Sequence, residues 1–226
     1  MTRWILPAAT LLLVALSLPF VLHAAGLGWS GMWADLSDTS RIFHADAPLA
    51  NTAIAAHMIL GAALTLAAPV QALPVVRNRL PGVHRRAGYV IALAAVLTGA
   101  GGLAYIAARG TVGGWWMSLW FAIYGVAMIV AATQVIYHAL DKNMARHRAW
   151  AVRLVVLAVA SFLYRVHYGL WYAATGGAAS NEAFTGAFDR INVVAFFVPY
   201  LLLAELYLRR RGPRRNPARR ATVRKA

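Results

Sequence analysis

Six apolar stretches dominate the chain, near residues 4–25, 51–75, 87–108, 115–139, 150–173 and 191–208. As helices rising about 1.5 Å per residue, stretches of this length cross a hydrocarbon core of about 30 Å. The polar positions between them alternate in character. Arg77, Arg79, Arg85 and Arg86 separate the second and third stretches, and Lys142, Arg146, Arg148 and Arg153 flank the link between the fourth and fifth. The other connections hold Asp35, Asp38, Asp46, Glu182 and Asp189, with only Arg41, Arg109 and Arg190 as positive charges. Basic loops stay in the cytoplasm, so both chain ends and both basic loops are expected there, with 18 of the 22 basic residues. The expected fold is all-α, a bundle of six transmembrane helices over residues 1–208. The opening segment also reads as a signal peptide, with Arg3 before the apolar run and His23-Ala24-Ala25 near a cleavage site. Its apolar run of about 20 residues exceeds the ~7–15 of such signals, so a retained first helix is expected.

Composition sharpens this picture. Charged residues make up 13% of the chain and hydrophobic ones 61%, against about 25% charged in a soluble domain, so most of the surface is expected to face lipid. The absence of cysteine excludes disulfides, thiolate metal sites and thiol nucleophiles. The net charge of +15 is concentrated at one end, where nine basic residues follow Leu208. That segment, 209–226, carries Pro213 and Pro217 and almost nothing apolar. It is expected to be a disordered polybasic tail drawn to anionic headgroups, rather than a nucleic-acid-binding element.

Small residues predict where helices approach closely: Gly61, Ala63 and Ala67 in the second stretch, and Gly99, Gly101 and Gly102 with Ala92, Ala94 and Ala95 in the third. Trp115, Trp116, Trp120, Trp171 and Tyr172 fall at outer helix ends, as in an aromatic belt; a quinone pocket would use the same residues.

Polar groups within apolar spans are costly and start as candidates for function. His57 and His167 lie about 25–27 Å above the inner ends of their helices, while His84, His138 and His147 lie at the inner boundary. Histidines at two depths weakly resemble the diheme transmembrane cytochromes b, in which each iron takes two imidazoles. Such a likeness implies heme b, with these five as candidate ligands. The pairing departs from the alternation of ligands on helices two/four and three/five. The structural alternative is histidines bonded to neighbouring carbonyls or hydroxyls. Arg165, deep in the fifth stretch, needs a carboxylate, a carbonyl cluster or an anionic ligand, with Asp46 and Asp189 as the nearest acids. It is the candidate anion or propionate clamp. Phosphate loops, nucleophile elbows and paired intramembrane carboxylates are absent from the sequence.

The segments LPGVHRRAGYVIALAAVLTGAGGL at 80–103 and ARHRAWAVRLVVLAVASFLYR at 145–165 resemble an uncharacterised bacterial family of predicted multi-pass membrane proteins. The likeness rests on His57, Pro81, His84, Arg85, Gly88, His147, Arg148, Trp150, Arg153 and Arg165 and covers about 50–175. His138 and His167 are not part of it. The resemblance implies a bacterial inner-membrane protein and brings no activity with it. Three roles stay open: a b-type heme protein exchanging electrons with a quinone or a protein partner, a carrier or sensor using Arg165, and an accessory subunit of a membrane complex.

Overall fold

A computed structural model describes residues 2–211; residues 209–211, expected to open the polybasic tail, continue the last helix, and the rest of that tail lies outside the described residues. All its regular elements are helices: α1 (Thr2–Trp33), α2 (Pro48–Gln71), α3 (Pro74–Arg79), α4 (Pro81–Arg109), α5 (Gly114–Leu140), α6 (Met144–Thr175), α7 (Ala187–Ala195) and α8 (Val198–Arg211). Helices α1, α2, α4, α5 and α6 each meet the length and hydropathy of a membrane span, and α7 with α8 forms the sixth. The protein is an all-α polytopic membrane protein, as the hydropathy pattern predicts.

Helices α2, α4, α5 and α6 form a ring in chain order, each antiparallel to the next, closed by contact between α6 and α2. Helix α1 packs outside the ring on α2, while α7 and α8 pack on α5 and α6. The inner half of the ring is filled with small and aliphatic side chains, among them Leu64, Ala92, Ala95, Ala131, Leu154 and Ala158. Thr65 crosses the closing seam, its hydroxyl donating to the Ala158 carbonyl at 3.1 Å as well as to Gly61 of its own helix.

Two boundaries differ from expectation. Helix α1 continues past residue 25 to Trp33, through a glycine-bearing segment that reads as a loop. The glycines are there for contact: a Cβ at Gly28 would lie 2.8 Å from the Ala55 carbonyl, and one at Gly31 would overlap the Phe43 ring. The sixth span, expected to be continuous, is interrupted at Phe196–Phe197. Pro199 lacks the N–H that would close the helical turn there, and the two phenylalanines turn into the core against Tyr124.

The small-residue expectation needs one correction. Gly99 packs on α5, where an added Cβ would lie 2.9 Å from the Gly125 carbonyl, and Ala92 and Ala95 are buried. Ala63, however, is exposed, and Ala62 and Ala68 hold the buried positions of α2. The 3.6-residue period turns position 63 toward lipid.

The connections at the end of the bundle away from the Arg-rich turns, the expected outer end, tie the helices together. Arg41 bonds Glu182 at 2.9 Å, joining the loop after α1 to the loop after α6, and Arg109 at the end of α4 bonds Asp46 at 3.0 Å. Trp116 donates to the Arg190 carbonyl, and Trp171 stacks on Phe188 at 4.6 Å while donating to the Ala178 carbonyl. Several of the expected belt aromatics therefore also fasten the outer loops.

Candidate functional site

The outer half of the ring encloses a cavity of about 340 Å³ between α1, α2, α4, α5 and α6, with Phe196 at the α7–α8 break closing one side. Ile42, Thr111 and Phe184 from the three outer connections line its mouth. Most of the wall is apolar; the polar groups at depth are His57, Thr98, Tyr124, Ser161, Tyr164 and Arg165.

Arg165 projects from α6, ten residues before the helix end, or about 15 Å below the outer rim. Its Nη1 donates to the Ser161 carbonyl at 3.0 Å, and its guanidinium carbon stands 4.6 Å from the centre of the Phe20 ring on α1. Arg165 is exposed and is one of the residues that line the cavity. The ion pairs among the described residues are Arg41–Glu182, Arg109–Asp46 and Arg153–Glu205, and none involves Arg165. The two acids expected to neutralise it are engaged elsewhere. Asp46 pairs with Arg109 at the surface. Asp189 is fully buried and accepts from the Tyr168 and Ser180 hydroxyls at 2.8 and 2.7 Å and from the Asn181 and Gly186 amides at 3.2 and 2.9 Å. A cation over an aromatic face gains about 0.5–2 kcal/mol, so the Phe20 ring alone does not neutralise a charge placed within a membrane span.

His57 faces the same cavity from α2. Its Nδ1 lies 2.8 Å from the Thr98 carbonyl of α4. A carbonyl only accepts, so Nδ1 carries the proton and Nε2 of the neutral ring is left as an acceptor. Gly101 and Gly102 make room for this approach. A Cβ at Gly101 would lie 2.8 Å from the Ala53 carbonyl, and one at Gly102 would lie 2.9 Å from His57 Nδ1. Tyr124 donates its hydroxyl to the Leu157 carbonyl at 2.6 Å. Tyr164 stands 3.4 Å from the Tyr168 hydroxyl, which donates to Asp189, so a polar chain leads from the cavity to the buried aspartate.

The structure does not bring His57 and His167 into one site. Both ring nitrogens of His167 are occupied, by Asn192 Oδ1 at 2.7 Å and Tyr200 Oη at 2.8 Å, and the ring stacks on Tyr200. The outer level therefore supplies one open imidazole nitrogen where a bis-histidine heme needs two. His147 Nδ1 is bonded to the Val135 carbonyl at 2.9 Å. His138 is buried on α5, and its Nδ1 and that of His84 have no hydrogen-bond partner among the described residues. No group of three or more metal-ligating side chains occurs among the described residues. Arg153 pairs with Glu205 of α8 and lies over the Trp150 ring at 4.5 Å, which gives the arginine and tryptophan of the fifth-helix motif a structural partner.

Sequence reasoning found Arg165 and His57 but missed Phe20, Tyr124 and Tyr164. Aromatic residues within apolar helices look alike in sequence, and only the packing of α5 beside α6 and of α1 against the outside of the ring brings these three to one cavity. A family model described as "Predicted membrane protein (DUF2306)" matches residues 54–208. The match runs past residue 175 and takes in α7 and nearly all of α8. No curated protein and no solved structure matches the chain.

Proposed function

As the chain belongs to this family of predicted membrane proteins, whose description names no activity, we propose from the site itself that it binds a small amphipathic anion in the outer-half cavity. One observation carries the reading: Arg165 faces a largely apolar cavity and has no carboxylate partner among the described residues. A guanidinium in that setting is completed by an anion that arrives with its own apolar body. The volume sits at the small end of the ~300–1,000 Å³ typical of ligand pockets, which suits a medium-chain molecule better than a whole phospholipid. The packed inner half supports binding from the outer side, as a sensor does or as a carrier does in its outward-facing state.

The proposed setting is a bacterial inner membrane with both chain ends cytoplasmic, so the cavity mouth faces outward. The test is thermal unfolding of the purified protein in nanodiscs against a panel of medium-chain carboxylates, phosphonates and sulfonates. At least one anion is expected to raise the Tm of the parent protein and to lose that effect in Arg165→Ala. A flat response across the panel sinks the reading.

A further inference from the structure

The cavity holds a second recognition element, and it constrains the head of the ligand. This inference rests on the anion-binding reading above. His57 lines the cavity, and its tautomer is set by the Thr98 carbonyl 2.8 Å from Nδ1. Nε2 has no partner among the described residues, and in the neutral ring it accepts and cannot donate. Its orientation is held from behind, because the Cα of Gly102 lies against the ring edge and Gly101 lies against the Ala53 carbonyl. Of the deep hydroxyls, Tyr124 already gives its proton to the Leu157 carbonyl, and Thr98 Oγ1 is buried without a partner among the described residues. His57 stands nine residues from the outer start of α2 and Arg165 ten residues from the outer end of α6, so both line the cavity about 14–15 Å below its rim and serve the same end of a ligand.

A plain carboxylate satisfies the first and leaves the second bare. We propose that the ligand is an amphipathic carboxylate with a hydrogen-bond donor, a hydroxyl or an N–H, within a few atoms of its carboxylate. Arg165 takes the anion, and His57 Nε2 accepts from the donor. The apolar tail lies among Phe20, Met58 and Met128. An acceptor left unmatched once a ligand covers it is costly, and a site built around one discriminates against the analogue that lacks the donor.

The experiment compares decanoate, 3-hydroxydecanoate and 1-decanol on the full chain in nanodiscs, reading Kd by calorimetry. In the parent protein, 3-hydroxydecanoate is expected to bind about tenfold more tightly than decanoate, and 1-decanol far more weakly than either. Arg165→Ala weakens both acids together. His57→Phe brings their ratio to about one. His57→Gln restores the preference, since its amide can donate to Thr98 and present an acceptor to the cavity; it also guards against misfolding of the phenylalanine variant. Equal binding of the two acids by the parent protein overturns the donor requirement and leaves anion binding standing. A preference that survives in His57→Phe also overturns it, because the acceptor then lies elsewhere. Binding of neither acid removes both readings.

Discussion

Gly102→Ala isolates the contact that orients His57. In an unhindered helix this change stabilises by about 1 kcal/mol through helix propensity. Here the new methyl would lie 2.9 Å from Nδ1 and 3.2 Å from Cε1 of the ring. The ring has little room to retreat, because α2 and α4 are already so close here that a Cβ at Gly101 would lie 2.8 Å from the Ala53 carbonyl and 3.4 Å from His57 Cβ. Overpacking of this kind costs about 1–3 kcal/mol, and losing the bond to Thr98 adds about 0.5–1.5 kcal/mol. Set against the propensity gain, the net is a destabilisation of about 1–3 kcal/mol. In a His57→Ala background the obstruction is gone, and the same change is expected to be neutral or stabilising by up to about 1 kcal/mol. A double-mutant cycle on equilibrium unfolding in bicelles measures the difference, with an expected coupling of at least about 1 kcal/mol. Effects equal in the two backgrounds to within about 0.5 kcal/mol would refute the reasoning and place the constraint on the helix backbones.

The other predictions address separate parts of the fold. Asp189→Asn places an amide N–H₂ or loses an acceptor where four donors converge; it is expected to cost about 2–4 kcal/mol, read as a fall in Tm, and an unchanged Tm would refute the hub role. Gly99→Ala is expected to destabilise by about 1–3 kcal/mol, since its Cβ would meet both Ile129 and the Gly125 carbonyl, whereas Ala63→Leu on the exposed face stays within about 0.5 kcal/mol. The chain has no cysteine, so single cysteines report sidedness without background: Glu182→Cys is expected to react with an impermeant maleimide added to intact cells, and Lys142→Cys only after permeabilisation. The reverse pattern would invert the assigned topology.

Much of the architecture was legible because a bilayer leaves few options. Every backbone amide must be satisfied within its own helix, so long apolar stretches announce their structure, and the Arg-rich turns around Arg77 and Arg148 mark one end of the bundle. What was not legible depended on tertiary geometry. The segment after Ala25 carries glycines, normally loop formers, yet Gly28 and Gly31 are there so that α1 can press on α2 and Phe43. Asp189 read as a loop acid and is fully buried, because four donors from the outer loop and α6 close around it. His167 read as an open ligand and is saturated, because the broken sixth span turns Asn192 and Tyr200 toward it. Arg165 was identified by depth alone, but its aromatic neighbour Phe20 sits in a different helix and no spacing rule connects the two.

The ring order also bears on how the molecule is made. Neighbours in the chain are neighbours in space from α1 to α6, so each emerging helix can pair with its predecessor as it leaves the insertion machinery. One seam breaks that rule: α6 must return to α2, across the intervening α4 and α5. His57 lies on one side of that seam and Arg165 on the other. The cavity is therefore incomplete until α6 has returned to α2, and Arg165 lacks its shelter until then. A ligand present during biogenesis would act as a pharmacological chaperone, stabilising the closing step and raising yield even in a strain that never uses the molecule for anything else.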